Sequence, residues 1–188
     1  MTGIDLILKP DDSIWLTKQL PNFKQGSSQL QLLFNASRDG WQATDFHKIC
    51  DNKGPTLTVI KSSVGKICGG YASVSWKSEG GNTKDPESFI FSLDSKTVYK
   101  PFRDESDLYF GADQGPCFGY NSLNLYSTRM NEKNGGYCYT NGTESSSHYK
   151  IGCDSEGNSV ITGEGKEQKG NDKKRYTCVA LEVYKVIY

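Results

Sequence analysis

From Thr56 onward the chain is a succession of short apolar runs, each ended by glycine, asparagine, aspartate or serine. Thr56-Leu57-Thr58-Val59-Ile60 is the first, and Lys66 to Trp76 returns after the turn Ser62 to Gly65. Short runs rich in β-branched and aromatic residues, punctuated in this way, read as strands, and this spacing reads as a hairpin. Gly69-Gly70 inside the return strand predicts a bulge or a close backbone approach. Ser88 to Leu93, Val98 to Phe102, Leu123 to Tyr126, Tyr137 to Tyr139 and Tyr176 to Tyr188 continue the series. The stretch Gly80-Gly81-Asn82 to Pro86 reads as a loop, and Gly111 to Gly119 as a glycine-rich turn.

Helices are expected only before Thr56. One follows the N-cap candidates Asp11-Asp12-Ser13 and carries Ile14, Trp15, Leu16 and Leu20 before Pro21. A strand over Gln29 to Phe34 leads to a turn at Ser37-Arg38-Asp39-Gly40. Thr44 then caps a second short helix carrying Phe46 and Ile49, which ends near Asn52 to Pro55. The pattern predicts an α+β, mostly β fold: two packed antiparallel sheets, a β-sandwich, flanked by short helices. No repeat or composition break divides residues 1–188, so one domain is expected. Asn141 to Lys174 is rich in Ser, Gly, Lys, Asp and Glu, and is expected to be an exposed, mobile excursion.

Lys plus Arg and Asp plus Glu number 22 each, a balance that argues against nucleic-acid binding. No stretch approaches the roughly 20 apolar residues that span a bilayer, so no membrane insertion is expected. Met1 to Leu8 has no basic lead or cleavage site, and Gly3 misses the myristoylation position. Six cysteines in a chain of this length are expected to be free, partly buried thiols in the cytoplasm. The sequons Asn35-Ala36-Ser37 and Asn141-Gly142-Thr143 bear only on the alternative, a secreted chain.

Candidate chemistry is sparse. The histidines are His47, read as a surface or packing residue, and His148, read as solvated. No zinc spacing occurs, and neither a metal nor a cofactor is expected. Ser63-Val64-Gly65-Lys66 has the spacing of a Ser-x-x-Lys pair but falls in a hairpin turn. Asp154 to Asn158 begins like a calcium loop, then departs from it at Ser159 and Gly165. The Gly111 to Gly119 turn lacks the dinucleotide-binding pattern, so its glycines are read as serving the backbone. Cys50, near Lys48 and Lys53, is the candidate reactive thiol, because nearby cations favour the thiolate.

Five pieces in order resemble the TLDc family: Ser37-Arg38-Asp39-Gly40; the hairpin Leu57 to Lys61 and Gly65 to Tyr71; Glu87 to Leu93; the Gly111 to Gly119 turn leading into Asn124-Leu125-Tyr126; and Leu181-Glu182-Val183-Tyr184. The resemblance covers Trp15 to Tyr188. It implies a β-sandwich flanked by helices, a link to oxidative-stress resistance, and binding to the vacuolar proton pump (V-ATPase). On that adaptor reading the module is non-catalytic, and its contact surface lies on Arg38, Asp39, Gly111, Asp113, Gly115 and Glu182. The alternative is a small structural or ligand-binding component of a larger assembly.

Overall fold

Side chains alternate across a strand, and that alternation decides the layers here. A computed structural model describes residues 6–101, 107–119, 122–140, 149–165 and 173–188. Helices α1 (Pro10–Thr17), α2 (Ala36–Asp39) and α3 (Ala43–Cys50) accompany two sheets. The strands are β1 (Gln29–Asn35), β2 (Thr56–Ser62), β3 (Ile67–Ala72), β4 (Asn82–Lys84), β5 (Phe89–Ser92), β6 (Thr97–Tyr99), β7 (Asp107–Tyr109), β8 (Cys117–Phe118), β9 (Leu123–Leu125), β10 (Gly136–Tyr139), β11 (Lys173–Tyr176) and β12 (Cys178–Ile187). One sheet runs β1-β12-β2-β3-β5-β6 and the other β11-β10-β9-β8-β7-β4. The expected mostly-β architecture of two antiparallel sheets with few short helices is therefore present.

Residues of both sheets share the central core: Phe34, Ile60, Ile90, Leu181 and Val183 from the first meet Leu108, Phe118, Leu123, Leu125 and Tyr176 from the second. The opposite face of the first sheet is apolar as well. There Leu57, Val59, Tyr71, Phe89, Phe91, Tyr184 and Val186 pack against Ile7, Leu8, Leu16 and Leu20 of the N-terminal segment and the region of α1. A sheet buried on both faces needs apolar residues at successive positions, which is why β2 and β5 read as continuous apolar runs.

Gly69 and Gly70 mark a close approach. The register with β2 and β5 runs through both without a shift, so there is no bulge. A Cβ on Gly69 would lie 1.9 Å from the Thr58 carbonyl oxygen, and one on Gly70 2.7 Å from the Phe118 ring. The side chain missing at Gly70 lets the second sheet press Phe118 onto β3, and the one missing at Gly69 makes room on the opposite face for the Thr58 carbonyl and Phe91.

Several boundaries differ from expectation. Asn82–Lys84 is a strand, not a loop, pairing with β7. Cys117–Phe118 is a strand inside the predicted glycine turn. The terminal run divides at Thr177, so β11 belongs to the second sheet and β12 to the first. Thr177 is fixed at this crossing by Ser63 N–H donating to its carbonyl at 2.9 Å and Asn134 N–H donating to its hydroxyl at 3.0 Å. The turn at Ser37 is one turn of helix, because Asn35 Oδ1 accepts Ser37 N–H and Arg38 N–H. α1 begins at Pro10, whose fixed φ suits a first helical position.

The described part of the expected polar excursion is exposed at Lys150, Asp154, Ser155, Glu156 and Val160 but is anchored in the core between them. Tyr149, Ile151 and Ile161, three of its few apolar residues, are fully buried in the central core. Glu164 Oε1 accepts both the backbone N–H of Ser63, at 3.1 Å, and its hydroxyl, at 2.9 Å, so the segment is tied to the β2–β3 hairpin. Residues 141–148 and 166–172, with His148 and the Asn141 sequon, lie outside the described residues. The other sequon residue, Asn35, is 5% exposed and spends its side chain on capping α2.

Gly69→Ala is expected to lower unfolding free energy by about 1–3 kcal/mol, since the Thr58 backbone cannot yield cheaply. Gly152→Ala, which meets open space, is expected to stay within about 0.5 kcal/mol of the parent. Urea denaturation of the two variants checks the pair.

Candidate functional site

The sequence-predicted contact residues converge on α3, with one exception. α3 is held to the end of the sandwich by aromatic packing. Trp76, 1% exposed, takes the rings of Phe46, Phe110 and Phe118 edge-on, with centroids 5.7, 5.8 and 5.4 Å away. Trp76 Nε1–H donates to Thr56 Oγ1 at 2.8 Å, so the buried indole is satisfied. At the start of α3, Asp45 accepts the Gln42 N–H at 3.0 Å. The expected cap, Thr44, lies inside the helix instead.

Arg38 and Asp39 stand just before this helix. Arg38 Nε–H donates to Asp39 Oδ1 and its terminal N–H to Asp39 Oδ2, both at 2.7 Å. Asp39 also accepts the Asn35 N–H at 2.8 Å. The bonds from Arg38, followed by the one from Asn35, hold the Asp39 carboxyl below the usual carboxylate range. Gly40, at φ +117°, leaves no room for a side chain: a Cβ would meet Asp45 Oδ2 at 2.1 Å.

His47 joins α3 to the Gly111 turn. Its ring is 7% exposed, with Nδ1 2.8 Å from Asp51 Oδ1 and Nε2 3.0 Å from both the Gly111 and the Gln114 carbonyl oxygens. Oxygen atoms therefore flank both ring nitrogens. Of the two roles expected for His47, surface or packing, burial removes the first, and the ring also clamps the turn. Gly111 and Gly115 within it are buried, while Asp113 is exposed. A Cβ on Gly115 would lie 2.7 Å from Met130 Sδ. Met130 N–H in turn donates to the Trp41 carbonyl at 2.8 Å, and Ala43 N–H to the Thr128 carbonyl at 2.8 Å. Arg38, Asp113, Gln42, Thr128 and Arg129 are thus exposed on loops braced against one another. Gln42, Ser127, Arg129 and Lys133 line an open depression of about 620 Å³ on this face.

Two sequence candidates are corrected. Glu182 is fully buried and is no part of an accessible contact surface. It reaches the loop face only from beneath, through Asn35 Nδ2 at 3.4 Å. Cys50 is also fully buried, because it follows Phe46 by one turn and shares that inward face. Burial, followed by the nearby charges of Asp51 and Asp39, pushes its thiol up, away from a reactive thiolate. Lys48 and Lys53 point outward and do not reverse this. Ser63 and Lys66 do not form a pair: Ser63 bonds Glu164, while Lys66 Nζ lies 3.6 Å from Asp94. Asp154 spends its carboxylate on Glu156 N–H, Asn158 N–H and the Asn158 amide, within its own turn. Sequence reasoning gave no role to Asp51 or Met130, and only their long-range partners reveal one.

The model of the TLDc domain matches residues 1–187. Among curated proteins, the MTOR-associated protein MEAK7 of Danio rerio is 31% identical over 67 residues. The match covers 36% of this chain and 15% of that protein, so the chain corresponds to a small part of its relative.

His47→Ala is expected to cost about 1–3 kcal/mol by removing the ring that contacts the Asp51 carboxylate and the Gly111 and Gln114 carbonyls. Hydrogen exchange should quicken at Gly111 to Gly115 and stay unchanged in β12. Asp39→Asn tests the ion pair through pH. A lowered folded-state pKa adds stability above the unfolded value, about 3.9, and loses it as pH falls through the folded one. The parent should therefore exceed the variant at pH 7, and the gap should close in acid.

Proposed function

The chain belongs to the TLDc family, and from that premise we propose that it is a non-catalytic protein-binding module. It docks on a larger assembly through the loop face around α3. By the family's associations the assembly is the vacuolar proton pump, and resistance to oxidative stress follows from regulating that pump. The observation that carries the reading is the His47 clamp. The ring ties α3 to the Gly111 turn, and Arg38 and Asp113 stand exposed on the segments that flank this contact. A surface fixed before contact loses little conformational freedom on binding. A cytoplasmic setting is part of this reading, and six free thiols, five of them buried, support it.

Affinity purification of the tagged protein from its own cells is expected to recover peripheral-stalk subunits of the pump. Asp113→Lys, at an exposed position away from the Arg38–Asp39 pair, should abolish that recovery without moving the melting temperature. Recovery of a different stable assembly would replace the pump with a structural-component role. Thiol titration of unreduced, denatured protein should find all six groups, and a lower count would move the protein to an oxidising compartment.

A further inference from the structure

The second sheet carries a cleft of about 490 Å³ whose lining includes Tyr126, Tyr137, Tyr139, Asn124, Asn82 and Lys173. Register explains the grouping. Asn124 pairs with Tyr137, Tyr137 with Arg175, and Tyr139 with Lys173, so their side chains share the face turned away from the core. Asn124 and Tyr137 form a buried floor, 1% and 4% exposed, and Tyr126 stands at the rim at 52%. Lys173 Nζ lies 4.1 Å from the Tyr137 ring centroid, and the Arg175 guanidinium 5.4 Å from the same ring. The whole chain balances 22 basic against 22 acidic residues. Yet among the described residues lining the cleft there is a lysine and no carboxylate, with Arg175 beside it. Burial and the Arg175 charge lower the Lys173 pKa, and an arriving anion relieves that pressure.

The rings select among anionic ligands. Tyr126 and Tyr137 are tilted by 50°, and Tyr137 and Tyr139 by 77°. They make no flat platform, and the Tyr137 face is occupied by its cations. Stacking of sugar rings or bases needs open, roughly parallel faces. The cleft and its edge instead present ring edges, the Tyr126 rim and the exposed Arg175 guanidinium beside Lys173. These match the backbone groups, carboxylates and intervening apolar side chains of a peptide.

We propose that this cleft binds an acidic, aromatic-containing segment of a partner protein, with Lys173 and Arg175 pairing its carboxylates and the tyrosines holding its chain. The site borders the Gly111 turn through Gln114 but does not depend on the pump being the partner.

The test uses the full chain and a fluorescein-labelled random copolymer of glutamate and tyrosine, read by anisotropy. A lysine–tyrosine copolymer and labelled dextran sulfate are the comparison probes. The expected result is saturable binding of the glutamate–tyrosine copolymer alone, weakening several-fold as salt is raised across the physiological range. Arg175→Glu, at an exposed position, should reduce affinity at least tenfold with an unchanged circular dichroism spectrum. Lys173→Gln is the second, milder variant should the first unfold. Dextran sulfate binding as tightly, and lost in the same variants, would overturn the peptide in favour of an anionic polysaccharide. No binding by the parent, or equal binding by folded variants, would overturn the site itself.

Discussion

A fully buried carboxylate ties the ends of this fold together. Glu182 lies on β12, between β1 and β2, facing away from the central core. Its Oε1 accepts Ile7 N–H at 2.8 Å and its Oε2 accepts Leu8 N–H at 3.2 Å and the Tyr184 hydroxyl at 2.7 Å. A carboxylate stripped of water is tolerated only when donors replace the water. Here the N-terminal segment brings two of them, and in doing so lays Ile7 and Leu8 over the apolar outer face of the first sheet. Asn35 brings another while capping α2, the turn that carries Arg38 and Asp39. The strap, the sheet and the start of the loop face thus meet at one side chain. Removing its charge would reach all three, whereas deleting an aliphatic neighbour would open a local cavity.

The same residue shows where sequence reading stops. Leu181 and Val183 flank Glu182, and a charge alternating with apolar residues reads as the wet side of a strand. That inference assumes a sheet with one dry face. The first sheet has two, and nothing local in Leu181-Glu182-Val183-Tyr184 announces the strap that crosses it. The apolar runs at Thr56–Ile60 and Phe89–Phe91 do carry the signal, because continuous burial leaves no polar alternation. Gly69-Gly70 was legible for a related reason: glycine in a strand core has few explanations besides a neighbour that needs the space. The segment around Tyr149, Ile151 and Ile161 was not, since three scattered apolar residues in a polar stretch show no period. They are buried by what they reach, not by what surrounds them in sequence.

The candidate site divides in the same way. Arg38, Asp39 and the Gly111 turn were legible as turn chemistry, because polar and glycine residues there serve the backbone. Their convergence was not. It rests on His47, whose partners lie 64 and 67 residues away in sequence. Cys50 failed because proximity in sequence to two lysines says nothing about which side of a helix the thiol takes. Once Phe46 is placed in the core, the helical period places Cys50 there too.

The two sheets are consequently suited to different work. The first has both faces committed to packing, so its side chains serve stability, and a recognition function there would compete with the strap. The second packs the face carrying Leu108, Phe118 and Leu123 into the core, and along β10 and β11 its other face carries Tyr137, Tyr139, Lys173 and Arg175. Tyrosine and arginine are large side chains that lose little freedom per contact made, and they recur where proteins bind proteins. An exposed Tyr126 at 52% beside a buried floor is a poor arrangement for a core and a reasonable one for a cleft. The His47 clamp then acquires a second consequence. By fixing Gln114, it sets one wall of the cleft as well as the turn, so a perturbation at α3 would be felt on both surfaces through one imidazole.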